Sequence, residues 1–216
     1  MSAADEVKAA HGRIVKWLGG HKQAKFVLSS FNKPATADAI KQFTTKTKLE
    51  LPAGLAAIYR LLDGQDEDAA NDAFGEGTIE SGLFPSIEDG DLAFLLVPLK
   101  ELISNTRGSQ MPGFRKGWIP FGDNYGGDNI VLDFASEEPR KRGRVLQFNH
   151  EYGGAYALAP SFEAYLASIA DGLESKKIRW DEDAGLSYKK SLDWDDLIDK
   201  KKVEYDPQYL KEYGGE

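Results

Sequence analysis

Three short segments in the second half of the chain constrain its fold most, because apolar and polar residues alternate in each. The segments are "GWIPF", "DNIVLDF" and "GRVLQFNH", and turn residues separate them. A period of two is typical of strands that bury one face, and short connections join strands that run antiparallel. The pattern therefore predicts a β-meander that begins near Lys116.

Helical patterns lie on both sides of this meander. Ser2 and Asp5 resemble a capping box before an amphipathic segment. In "LPAGLAAIYRLLDGQ", Pro52 suits the first position of a helix and Gly64 marks its end. "SFEAYLASIADGLES" predicts another amphipathic helix after the strands. Helices at both ends of a run of strands predict an α+β domain, in which helices cover a central, largely antiparallel sheet.

The shorter segments are less decisive. "FVLSSF" fits a short strand or an apolar link, and "PLKELISNTR" fits a short helix that a proline begins. "TIESGLF" and "LAFLLV" are predicted to be strands. After Ser175 the periodicity fades, so we expect one domain over residues 1–174 and an extension over residues 175–216 that packs on the domain or binds a partner.

Composition excludes several classes of function. The 216 residues include no cysteine, which excludes disulfides, thiolate metal sites and cysteine nucleophiles. The net charge of -8 at pH 7 argues against direct binding of nucleic acid and favours a basic partner. No signal peptide or apolar stretch of membrane-spanning length is evident. We therefore expect a cytoplasmic protein that does not bind membranes.

The segment "DNYGGDN" admits three interpretations. A phosphate-binding loop would need a lysine and a following helix, and a calcium loop would need more oxygen ligands at fixed spacing. Turn chemistry favours a hairpin connection in which Gly126 and Gly127 supply positive φ, with Asp123 and Asp128 as structural turn residues. Tyr125 then lies at the turn tip, where an exposed tyrosine suits protein binding.

Catalytic patterns are weak. His150 and Glu151 are adjacent and would make an acid–base pair, although a histidine bonded to the backbone at a strand end is the favoured interpretation. His11 and His21 are predicted to be surface residues. Abundant carboxylates leave a carboxylate-dependent hydrolase as a third alternative. We assign no catalytic residue, cofactor or metal.

The order of several motifs resembles the SUKH superfamily, which contains fungal cell-wall-assembly regulators and bacterial immunity proteins. The motifs span about residues 48–173 and are "LPAGLAAIYRLLDGQ", "LFPS", "LVPLKELI", "WIPFGDNYGGDNIVLDF", "GRVLQFNHE" and "LAPSFEAYLASI". The resemblance implies an α+β fold, no catalytic site, and binding of a toxin domain, often a nuclease or other nucleic-acid-modifying enzyme. Toxin-contacting residues vary within the superfamily, so none is transferred.

The leading hypothesis is thus an immunity protein that binds and neutralises a basic toxin domain, and the alternative is a regulatory scaffold in cell-wall synthesis. The expected contacts are acidic or aromatic residues at predicted turns and helix ends, namely Asp63, Asp66, Glu67, Asp68, Tyr125, His150, Glu151 and Tyr152.

Overall fold

The computed structural model describes residues 1–66, 82–88, 92–108 and 111–213. Its centre is a six-stranded sheet of order β1-β2-β3-β4-β5-β8, in which every neighbouring pair is antiparallel. A separate hairpin consists of β6 and β7. The strands are β1 Leu95–Leu96, β2 Trp118–Asp123, β3 Asn129–Asp133, β4 Arg144–Asn149, β5 Gly154–Ala159, β6 Ile178–Asp181, β7 Gly185–Tyr188 and β8 Glu204–Tyr205.

Helices are distributed along the whole described chain, so the predicted α+β class with a largely antiparallel sheet is confirmed. None of them is both long and apolar enough to cross a lipid bilayer. The helices are α1 Ala3–Gly20, α2 Phe26–Ser29, α3 Ala37–Thr47, α4 Ala53–Tyr59, α5 Leu99–Gly108, a 3-10 turn Pro139–Lys141, α6 Phe162–Glu174, α7 Trp194–Asp199 and α8 Pro207–Tyr213.

The two faces of the sheet bury different side chains. Ile119 and Phe121 of β2 point into the main core, which α1, α4 and α6 complete. Trp118 belongs to the opposite face, where it packs with Phe148 and the preceding Phe114 in edge-to-face contacts. The alternation that predicted the strands thus separates two apolar layers.

Several local predictions need correction. Pro52 is the N-cap of α4 and precedes its first residue, and the helix ends at Tyr59, five residues before Gly64. "FVLSSF" contains the one-turn helix α2, after which Phe31 bridges Gln65. "LAFLLV" contributes only the two-residue strand β1, and most of "TIESGLF" lies outside the described residues. The strand β5 was not predicted.

The C-terminal segment from residue 175 is closely joined to the rest of the chain. Ile178 and Leu186 of the β6–β7 hairpin enter the main core. Strand β8 pairs with β5, with Gly154 opposite Tyr205 and Ala155 opposite Glu204. This segment therefore contributes to both the core and the sheet.

Candidate functional site

The β2–β3 connection is built from side chains that bond to their own turn. Asn124 Oδ1 accepts hydrogen bonds from the backbone of Gly126, at 2.9 Å, and of Asp128, at 3.0 Å. Asp123 Oδ1 accepts from the backbone of Tyr125 at 2.7 Å. Positive φ occurs at Tyr125 (55°) and Gly127 (110°), so the prediction that Gly126 also supplies it was wrong. Tyr125 is exposed at the tip.

Asp128 connects this turn to the β4–β5 turn. One oxygen of its buried carboxylate lies 2.8 Å from the backbone nitrogen of His150 and 2.8 Å from its ring Nδ1. A Cβ on Gly127 would lie 2.8 Å from Cγ of His150, so the imidazole rests on the glycine backbone. The carboxylate that positions His150 is therefore Asp128, not the neighbouring Glu151 of the considered acid–base pair.

The β4–β5 turn continues into an aromatic contact with the C-terminal segment. Tyr152 stacks on Trp194 of α7, with 5.9 Å between ring centroids and an interplanar angle of 11°. Its hydroxyl lies 3.4 Å from the Asp195 carboxylate. The negative charges of Asp195, and more weakly of Glu88 and Asp193, raise the pKa of Tyr152.

These contacts define one acidic and aromatic surface at the turn end of the sheet, which we name the turn surface. It combines four predicted contact residues with acidic residues from other segments that the sequence analysis had not assigned to it. The turn surface comprises Tyr125, His150, Glu151, Tyr152, Glu88, Asp193 and Asp195.

Asp63 and Asp66, the described members of the predicted acidic contact, lie in another part of the fold. Asp63 Oδ1 accepts a 2.8 Å hydrogen bond from the backbone of Leu99 at the start of α5, so this carboxylate supports the fold. Asp66 is exposed, and its backbone donates to the carbonyl of Ser30. Glu67 and Asp68 lie outside the described residues. The structure therefore does not bring Asp63 to the turn surface.

The other two histidines differ from each other. His21 is exposed and stacks on Trp17 at 3.7 Å between ring centroids. His11 is partly buried against Phe31, and its Nε2 is fully buried without a hydrogen-bond partner, so the prediction of a surface residue was wrong for His11. Burial lowers the pKa of His11. Among the described residues, no group of three histidine or carboxylate side chains is placed to hold a metal ion.

A buried polar network lies on the second face of the sheet. Asp133 is fully buried, and its Oδ1 accepts hydrogen bonds from Trp118 Nε1 at 3.1 Å and from the backbones of Ala135 and Ser136 at 3.0 Å each. Its Oδ2 accepts from Nε and Nη2 of Arg144, at 3.1 and 3.0 Å. This network was not predicted from the sequence, in which its only local signal is the basic run "RKRGR".

Comparison with known proteins agrees with the resemblance inferred from the sequence. The model of the SMI1 / KNR4 family (SUKH-1) matches residues 34–168. A KNR4/SMI1 homolog from Yarrowia lipolytica is 34% identical over 67 residues, which cover 31% of this chain and 9% of that protein.

Two further relatives carry different names. A glucan synthesis regulatory protein from Neurospora crassa is 33% identical over 66 residues, covering 31% of this chain and 12% of that protein. The F-box protein SKIP16 from Arabidopsis thaliana is 31% identical over 106 residues, covering 49% of this chain and 23% of that protein. The matches therefore span less than a quarter of the length of each of these relatives.

Proposed function

Because the chain belongs to the SMI1 / KNR4 family (SUKH-1) and one of its relatives is named a glucan synthesis regulatory protein, we propose that it acts by binding a protein partner, without catalysis. The turn surface is the observation that carries this proposal. Its residues 125 and 150–152 lie inside the matched region, and it presents aromatic rings beside acidic side chains. Aromatic side chains supply large contact areas, and charges of one sign select a partner of the other.

The first candidate partner is a basic toxin domain, of the nuclease or other nucleic-acid-modifying type, which this chain would neutralise in the cytoplasm. Two observations support it, namely the net charge of -8 and the clustering of Glu88, Glu151 and Asp195 beside exposed rings. Toxins that act on nucleic acid carry basic surfaces, because phosphate neutralisation supplies much of their affinity. An acidic surface would accelerate their capture and occlude the substrate-binding face.

The second candidate is regulation of cell-wall synthesis. The name of the Neurospora crassa relative, a glucan synthesis regulatory protein, favours it. In this case the turn surface would hold a synthesis or signalling protein in an assembly.

The experiment is affinity capture of the tagged full chain from its native cells, followed by mass spectrometry. A stoichiometric toxin domain that loses activity in the complex supports the first candidate, and recovery of wall-synthesis or signalling proteins supports the second. The test variant combines Tyr125→Gly, which suits the positive φ at this position, with Glu151→Lys at an exposed site. Glu50→Lys, which makes the same charge change at an exposed position before α4, is the control.

We expect the double variant to lose the captured partner and the control variant to retain it. Equal recovery with both variants would exclude the turn surface as the contact. Charge reversal at Asp66, Glu67 and Asp68 tests whether these acidic residues also contact the partner. If they do, the variant should associate with a basic partner more slowly than the unaltered chain at low salt.

A further inference from the structure

The last described segment, residues 203–213, joins the sheet by very few backbone contacts. Strand β8 pairs with β5 through two residues, whereas β4 pairs with β5 through five. Among the side chains that the structure describes in residues 203–213, none belongs to either apolar core. This segment also lies outside the region matched by the family model, which ends at residue 168. Both cores would therefore persist if the segment left the sheet.

Charged contacts hold the segment in place. Arg144 donates to both oxygens of Glu204, at 2.7 and 2.6 Å, while its other edge binds the buried Asp133. Arg115 donates to the backbone carbonyl of Tyr205, and its Nε lies 3.6 Å from Asp206 Oδ2. Two arginines of the sheet domain thus bind the acidic–aromatic–acidic sequence Glu204-Tyr205-Asp206.

Aromatic rings and glycines complete the fit. Tyr205 and Tyr209 stack with 6.3 Å between their centroids. A Cβ on Gly153 would lie 2.2 Å from the ring of Tyr209, and a Cβ on Gly154 would lie 2.4 Å from Val203 Cγ1. The glycine pair at the start of β5 therefore leaves room for a chain with bulky side chains to lie against the strand.

A cavity of about 900 Å³ opens between this segment and the second face of the sheet. Basic residues on its walls are Arg115, Lys116, Lys141 and Arg144, and residues 203–213 contribute Glu204 and Asp206. Lys141 pairs with Glu138 at 2.6 Å. Glu137 and Glu138 line the same cavity, so its basic character is confined to the place where Arg115 and Arg144 contact the segment, although the chain as a whole is acidic.

We propose that this groove is a docking site for an extended acidic and aromatic segment of a partner protein, and that residues 203–213 occupy it as an intramolecular competitor. The incoming segment pairs with β5 through its backbone and places carboxylates on Arg144 and Arg115. Addition of a strand to an exposed sheet edge is a general mode of peptide recognition, in which backbone hydrogen bonds supply affinity and side-chain contacts supply selectivity. This groove shares no residue with the turn surface, although Gly153 directly follows Tyr152 and Tyr205 lies near that ring. The peptide-binding test addresses the groove alone, so either proposal can fail without the other.

The test uses the full chain and a fluorescent peptide with the sequence of residues 203–213, and binding is measured by fluorescence anisotropy. In the Glu204→Lys chain, repulsion from Arg144 releases the internal segment while the groove stays intact. Asp206→Asn is a milder variant, because asparagine keeps the N-cap that Asp206 provides to α8 and loses only the charge facing Arg115. Hydrogen exchange of residues 203–213 reports release in each chain.

We expect the peptide to bind the Glu204→Lys chain at least tenfold more tightly than the unaltered chain, with an intermediate gain for Asp206→Asn. Adding Gly154→Ala to Glu204→Lys should abolish this binding, because the new methyl group occupies the space of the docked chain. A peptide with glutamine in place of Glu204 and asparagine in place of Asp206 should bind at least tenfold more weakly.

Two results would overturn the proposal. In the first, residues 203–213 exchange freely in the Glu204→Lys chain and the peptide still binds no better than to the unaltered chain. In the second, residues 203–213 of the Glu204→Lys and Asp206→Asn chains are as protected from hydrogen exchange as in the unaltered chain. The segment would then be a fixed part of the fold and not a competitor.

Discussion

Arg144 donates two hydrogen bonds, of 3.1 and 3.0 Å, to Oδ2 of the fully buried Asp133. Replacing Arg144 with methionine would leave this carboxylate buried without its charge partner. Loss of one member of a buried ion pair costs about 3–5 kcal/mol. We expect a decrease of this size in the free energy of unfolding, measured by chemical denaturation.

Arg140→Met is the matched control for this change. Arg140 pairs with Glu138 at 3.0 Å, but its side chain is 85% exposed. Exposed ion pairs contribute about 1 kcal/mol or less. A loss of similar size in both variants would show that the burial of Asp133 does not govern the effect.

The sequence predicted the strands β2, β3 and β4, because their alternation reflects the burial of two faces. It did not predict β5, whose "GAYALA" is rich in alanine and acquires its strand conformation from pairing with β4. It also could not predict the Asp133–Arg144–Glu204 network, because Glu204 is 60 residues from Arg144 and only the folded sheet brings them together.

At the candidate site, turn chemistry located residues 123–128, and the exposure expected of Tyr125 agrees with the structure. The contact between Asp128 and His150 could not be predicted, because it joins two turns that are 22 residues apart. The contact between Trp194 and Tyr152 could not be predicted either, because Trp194 begins α7 in a segment without clear periodicity.

The docking of Glu204 should depend on pH. Its hydrogen bonds with Arg144 lower its pKa below the ordinary value of 4.5. The contact between ionised Glu204 and Arg144 therefore stabilises the folded protein fully above about pH 5. This stabilisation is lost as the pH falls through the lowered pKa of Glu204. Thermal unfolding of the unaltered chain and of Glu204→Gln should differ most near neutral pH and converge in acid, and a difference independent of pH would contradict this.

His11 should also reduce stability as the pH falls, but in a higher pH range than Glu204. Its pKa is lowered from 6.5 because burial disfavours the charged imidazolium. The unfolded chain then binds more protons below about pH 6.5, so stability falls as the pH decreases from 7.5 to 5.5. His11→Phe should reduce this loss, and His21→Phe, at an exposed ring, is the control. Identical pH profiles for the unaltered chain and His11→Phe would exclude this contribution.

Lys176 occupies the glycine position of the motif that ends α6. Its φ is 59°, and the backbones of Lys176 and Lys177 donate to Leu173 and Gly172. Because glycine adopts positive φ without strain, Lys176→Gly should stabilise the protein by about 0.5–1 kcal/mol. Lys177→Gly, at the next position, lacks this relief and should not stabilise; urea denaturation of both variants tests the difference.

Gly127 and Gly126 are adjacent, yet alanine should affect them differently. At Gly127 the φ of 110° is unfavourable for alanine, and its Cβ would lie 2.8 Å from Cγ of His150. We expect Gly127→Ala to cost about 2 kcal/mol and to displace the imidazole from Asp128. At Gly126 the nearest atom would be Asn124 Oδ1 at 3.4 Å, and φ is not positive, so Gly126→Ala should change stability by less than about 0.5 kcal/mol.

Chemical denaturation gives the two costs, and the chemical shifts of the His150 ring report its displacement. Equal costs would show that the turn does not hold Gly127 against His150, and the turn surface would then lack its proposed support.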